Sequence, residues 1–97
     1  MNIKKLGKKQ KHYLRQLLYK NRVIRVIRDY YEFIEEAFIQ DEEGDNNYEA
    51  VDKSVLDSLF KRKLLNVMSW IPALSVEIIT FRIKSKCRAV LLERIHK

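Results

Sequence analysis

Residues 22–41 read Arg22-Val23-Ile24-Arg25-Val26-Ile27-Arg28-Asp29-Tyr30-Tyr31-Glu32-Phe33-Ile34-Glu35-Glu36-Ala37-Phe38-Ile39-Gln40-Asp41. Their apolar residues, taken with those just upstream, recur at helical spacing: Leu14, Leu17, Leu18, Ile24, Ile27, Tyr31, Ile34 and Phe38 form one stripe. The spacing predicts a helix over residues 10–40, or two helices broken at Asn21, which would cap the second. Val23, Val26, Tyr30 and Phe33 widen the stripe beyond one face. A helix apolar over that width packs on two sides or against a second chain.

The charges of this stretch oppose the helix that the spacing predicts. Arg22, Arg25 and Arg28 stand toward its start, and Glu32, Glu35, Glu36 and Asp41 toward its end. The helix dipole favours the reverse, by about 0.3–1 kcal/mol per charge. Arg25–Asp29 and Arg28–Glu32 recover a little as i,i+4 pairs, in the weaker orientation. Those charges therefore answer to something beyond the helix itself.

Along the whole chain, charge is sorted into three blocks. Residues 1–28, 29–58 and 59–97 carry net charges of +10, −10 and +7, which add to the overall +7. Like charges packed this densely need an opposite surface, in the fold or on a partner. The acidic block, Asp29–Glu43 above all, should lie against residues 82–88 or a basic partner.

Downstream, residues 41–50 read as a loop. Ser54 is placed to cap a further helix, with Asp57 three positions on, and Leu56, Leu59, Phe60, Leu64, Val67, Met68 and Ile71 make its apolar stripe. Pro72 should end that helix near Trp70. Residues 79–89 alternate strictly, with Ile79, Phe81, Ile83, Ser85, Cys87 and Ala89 on one side and Thr80, Arg82, Lys84, Lys86 and Arg88 on the other. Read so, they are a strand that would pair with another chain. Val76, Ile79, Ile83, Cys87, Val90 and Leu91 equally share one helical face. With no second strand of equal quality, the helix is the reading adopted. Two Gly and one Pro in 97 residues also favour a few long helices over many short strands. The expected fold is all-α: a single-domain bundle of three to four helices over residues 10–97, after a flexible basic arm at 1–9.

Leu64–Phe81 carries one charge, Glu77, and invites a membrane reading. A carboxylate inside a spanning helix costs about 2.5–3.5 kcal/mol, so buried core is the better account. The single Cys87 cannot form an internal disulfide, which points to a reducing, cytoplasmic setting.

The residue inventory argues against catalysis. His12 and His96 lie near the two ends with no acid or nucleophile at telling spacing, and Cys87 sits on an apolar stripe. Glu32, Glu35 and Glu36 lack the Glu-x-x-His companions of a di-metal bundle. The acidic loop fails the calcium pattern at its glycine and its closing glutamate. No metal, cofactor or small-molecule substrate is expected. Lys4, Lys5, Lys8, Lys9, Lys11 and Arg15 make a dense positive patch beside Tyr13 and Tyr19, and Arg82, Lys84, Lys86 and Arg88 a second one. Six phosphate contacts from the first would give a log–log salt slope of about −5 on duplex DNA; the alternative is a solubilising tail. Val23, Ile27, Tyr30, Phe33, Trp70 and Ile71 are the candidate interface for a protein partner or a second copy.

Three segments, Leu14-Arg15-Gln16-Leu17-Leu18, Asp29-Tyr30-Tyr31-Glu32-Phe33-Ile34-Glu35-Glu36-Ala37 and Leu59-Phe60-Lys61-Arg62-Lys63-Leu64-Leu65, resemble archaeal GINS subunits. The order of elements covers residues 14–92; the lysine-rich arm and the length depart from that family, whose small β-domain is missing. The resemblance implies a non-catalytic helical subunit that assembles with others beside the replicative helicase. The expected function is thus assembly in a nucleic-acid transaction. The alternatives are a sequence-independent DNA- or RNA-binding protein working through its basic arm, and a bundle that blocks one protein partner.

Overall fold

A computed structural model of the chain describes residues 5–19, 22–44 and 48–96. The chain is not all-α. It runs α1 (Lys8–Tyr19), β1 (Arg22–Asp29), β2 (Ile34–Asp41), β3 (Tyr48–Ala50), α2 (Lys53–Lys61), β4 (Leu65–Ala73), β5 (Val76–Ile83) and α3 (Ser85–His96). The strands form one antiparallel sheet in the order β3-β2-β1-β5-β4.

The 10–40 helix therefore ends at Tyr19, and the stretch from Arg22 to Asp41 is a hairpin. β1 is the central strand, and Val23, Ile24, Val26 and Ile27 supply apolar side chains to both of its faces. Apolar pairs separated by single arginines mimic a wide helical stripe, while their β-branching favours the strand. The opposed charges find their reason here. Arg22 stands across from Asp41 and Arg28 across from Glu35 in the β1–β2 register, and both pairs are closed, at 3.2 and 3.1 Å. The acidic strand thus answers the basic strand before it, and Glu42 just beyond it lines a recess with Arg82 and Arg88. The Asp29–Ala37 segment behind the GINS resemblance is this hairpin, not a helix.

The second half departs in the same way. α2 stops at Lys61, and Pro72 lies inside β4 instead of ending a helix. Asp52 occupies the α2 N-cap position that the spacing assigned to Ser54. Residues 79–83 belong to β5, which pairs with β1 and β4 of its own chain, and residues 85–96 are α3. The alternation and the helical stripe were each right for one half of the segment. Of the residues read as a basic arm, Lys8 and Lys9 belong to α1, the Lys5 carbonyl accepts from Arg62, and 1–4 lie outside the described residues.

All three helices pack on one face of the sheet. Leu14, Leu17 and Leu18 of α1, Leu56 and Leu59 of α2, and Cys87, Leu91 and Ile95 of α3 meet Ile24, Val26, Ile39 and Ile83 in a single core. Phe60 of α2 meets Phe81 of β5 edge-on, with ring centroids 4.9 Å apart. Cys87 is free and buried. No helix among the described residues is long and apolar enough to cross a membrane. Far from being buried core, β4 exposes every residue after Leu65.

The hairpin turns carry local strain. Phe33 (φ 56°) and Leu74 (φ 33°) are bulky, exposed residues in the left-handed region that favours glycine or asparagine. Leu74→Asn should relieve this at the tight β4–β5 turn, raising the thermal midpoint by about 4–8 °C, the equivalent of about 1 kcal/mol. A circular-dichroism melt with an unchanged or lower midpoint would refute the strain.

Candidate partner interface

Register and burial assign each strand residue to a face. Ile24, Val26, Ile39, Ile79 and Phe81 point to the helices. Val23, Arg25, Ile27, Phe38, Ile78 and Thr80 point the other way, to a face on which no helix packs among the described residues. Near the α1 end of the sheet this open face is closed by its own side chains. Val23 and Thr80 are buried, and the Arg25 guanidinium donates to Gln40 and to the Asp41 and Glu42 carbonyls.

Toward the two hairpin turns the covering fails. Ile27, Ile78 and Ile71 lie side by side across β1, β5 and β4, an apolar row on the open face. Trp70 aligns with Ile79 on the opposite face yet stays 58% exposed, and Ile71 is 56% exposed. The turns add Tyr30, Tyr31, Phe33 (91% exposed) and Leu74. Single exposed apolar residues are ordinary, but a contiguous group marks an interaction surface. Of the six residues read as an interface, Tyr30, Phe33, Trp70 and Ile71 gather at this end and Ile27 joins them half-buried. Val23 does not, because Arg82 and Met68 close over it in a small recess of about 120 Å³. Tyr31, Val67, Met68, Leu74 and Ile78 were missed. For Val67, Met68, Leu74 and Ile78 the sequence signal was the nearly uncharged run Leu64–Phe81.

The same end is acidic. Asp29, Glu32, Glu35, Glu36 and Glu77 surround the turns, and Arg28 is the one cation among residues 27–37 and 70–78. Asp29 Oδ1 accepts from the Tyr31 and Glu32 amides at 2.9 and 3.3 Å and shapes the first turn. The Tyr30 amide donates to the Ser75 carbonyl at 2.8 Å, so the two turns are tied together. Arg28 bridges Glu35 and Glu77, at 3.1 and 3.4 Å. Burial opposes its charge, but the hydrogen bond and charge of Glu35 and the charge of Glu77 outweigh it and hold its pKa up. A cleft of about 170 Å³ opens between Arg28, Asp29, Tyr30, Phe33 and Glu35.

The cations read as nucleic-acid ligands fall into separate groups. Lys4 lies outside the described residues. Lys8, Lys9 and Arg15 line an open groove of about 650 Å³ with His12, Tyr13 and Glu49. Within it Lys9 is paired to Asp52, and His12 Nε2 lies 2.8 Å from Glu49. Lys8, Lys11 and Arg15 are exposed at i, i+3 and i+7 along α1, one face of the helix. Lys5 is exposed just before it. Arg82 and Arg88 sit at the other end of α1, beside Arg22 and Glu42. Arg88 donates to the Leu18 carbonyl at 2.9 Å and so satisfies the end of α1. Lys84 is half-buried and Lys86 exposed at the start of α3. Among the described residues no cluster of three or more His, Cys, Asp or Glu is placed to hold a metal ion.

Comparison of the chain with protein-family models, with curated proteins and with solved structures finds no match.

Tyr30 supplies a check on the geometry of the turns. Its hydroxyl donates to Glu77 Oε2 at 2.8 Å, and that bond, then burial and the Glu77 charge, push the phenol pKa up. A group whose folded pKa is raised contributes stability in full below its unfolded pKa and loses it as the pH climbs through the folded value. The contribution is therefore intact at neutral pH and fades only in alkali. In an NMR titration of the tyrosine rings, Glu77→Gln should move the Tyr30 midpoint down. A midpoint that stays put would break the assignment.

Proposed function

We propose that this protein is a non-catalytic assembly subunit that associates through the uncovered end of its sheet. The observation that carries the reading is the group formed by Trp70, Ile71, Phe33, Tyr31 and Leu74. They are exposed together on the turns and edge of a sheet whose opposite end is well packed. Removing large apolar side chains from water is the main driving force of association, and aromatic anchors of this kind dominate interface energies. The free, buried Cys87 supports a reducing, cytoplasmic setting for this work.

The test is the mass in solution as concentration rises. The wild-type chain should exceed the 11.7 kDa of a single copy in sedimentation equilibrium at tens to hundreds of micromolar. A variant carrying Tyr31→Ser, Phe33→Ser, Trp70→Lys and Ile71→Lys should remain a folded monomer. A wild-type chain of monomer mass throughout would overturn the reading as it concerns self-assembly.

A second reading has its own observation. Lys8, Lys11 and Arg15 share one face of α1 and make no ion pair among the described residues, which suits contact with a phosphate backbone. Replacing the three by Ala should reduce the salt slope of nucleic-acid binding by about 3. Absence of binding by the wild-type chain at low salt in fluorescence anisotropy would remove this reading.

A further inference from the structure

The two edges of the sheet are unlike. On one side the sheet ends in β3, three residues long, whose Glu49 is held by His12 of α1. On the other it ends in β4, nine residues long and, among the described residues, paired with β5 alone. Natural proteins guard long edges with charge, proline or bulges, because an open edge is a template for another strand. β4 reads Leu65-Asn66-Val67-Met68-Ser69-Trp70-Ile71-Pro72-Ala73, with no charge in a chain that is 34% charged. Its sole interruptions are the bulge between Val67 and Ser69 and the proline.

The hairpin geometry fixes which backbone groups face outward. Ala73 and Val76 flank a two-residue turn and form its closing pair, so hydrogen-bonded pairs recur at every second position from there. Ile71–Ile78 and Ser69–Thr80 bond inward to β5. Trp70 and Pro72 alternate with them and face away. Pro72 thus sits where its missing N–H costs the β4–β5 ladder nothing but removes one donor from the outer edge, while Trp70 offers both its N–H and its carbonyl to an incoming strand. Trp70 and Val67 project on the helix side of the edge and Ile71 on the open side, each more than half exposed.

We infer that the occupant of this edge is a second copy of the chain, its β4 running antiparallel to the first across a two-fold axis near Trp70. The inference rests on the assembly reading above and names its partner and surface. Charge decides between occupants. A basic or acidic segment would find nothing on β4 to answer it, whereas an uncharged edge meets its own copy without like-charge contact despite the net charge of +7. Symmetry makes the pairing self-complementary and closed. Across an axis at Trp70, Ile71 would stand opposite Ser69 of the second copy, one diagonal step from that copy's Ile71, and the two described sheets would join edge to edge. About 30 Å of strand with roughly 10 Å of covered side chain on each face approaches the ~800 Å² per partner of an ordinary interface.

The experiment joins sedimentation equilibrium of the full chain to amide exchange at Trp70. The expected result is a dimer in which the Trp70 N–H exchanges at least about 100-fold more slowly than in dilute monomer. Trp70→Lys and Ile71→Lys should each weaken the dimer about 100-fold or more, since each buries a charge at the paired edge. Both positions are over half exposed in the single chain, so both variants should keep the wild-type far-UV spectrum. A dimer that survives both variants, or whose Trp70 amide exchanges freely, overturns the edge pairing and leaves assembly through the turns standing. A chain that stays monomeric at hundreds of micromolar overturns both.

Discussion

Everything in this fold depends on β1 being held between two strands and under a helix. It lies in the middle of the sheet, bonded to β2 and β5 and covered by α1 on one face. Ile24 and Val26 meet Leu14, Leu17 and Leu18 of the helix immediately before them, so the first buried contact is made by neighbours in sequence. Short loop closure makes such a contact cheap in chain entropy. β2 and β5 flank the same strand, and the remaining helices cover the same face.

That arrangement covers the sheet unevenly. The helices bring their apolar residues to the α1 end, where Leu64, Leu65 and Ile83 are buried. At the other end, toward the turns, the polar ladder Glu35–Arg28–Glu77 takes the place of core, and Trp70 and Ile71 remain in water. The uncovered end and the packed end are two results of the same shortage: three short helices cannot roof strands of eight and nine residues. The strained Phe33 and Leu74 fall at that end too. Exposure of large apolar residues and two of the four non-glycine residues with positive φ thus fall in one place.

Charge has a structural part and a free part. Arg22, Arg28 and Arg88 are spent within the fold, on Asp41, on Glu35 and Glu77, and on the end of α1. Such partly exposed pairs set register more than they add stability. What remains is an acidic rim around the aromatic turns and a basic face on α1, at Lys8, Lys11 and Arg15. The β4 edge belongs to neither, and its neutrality separates it from both.

How much of this was legible before folding can be judged from particular residues. The sequence by itself determined the α1 stripe and the apolar positions Leu56 and Leu59 of α2, and it offered Tyr30, Phe33, Trp70 and Ile71 as an interface; of the loop read over 41–50, Asp41 belongs to β2 and Tyr48–Ala50 to β3. It also held the clue against its own helical reading, since Arg22, Arg25 and Arg28 preceding an acidic run misfit a helix and fit a hairpin. Only the tertiary structure decided that the clue prevailed. Apolar residues on both faces of a central strand carry no period of two, so Val23–Ile27 imitates a wide helix until β2 and β5 are beside it. Pro72 likewise reads as a helix stop until β4 is known to be an edge, where a missing N–H is free of cost. Periodicity records which residues avoid water, and the pairing of distant strands decides on how many sides they do so.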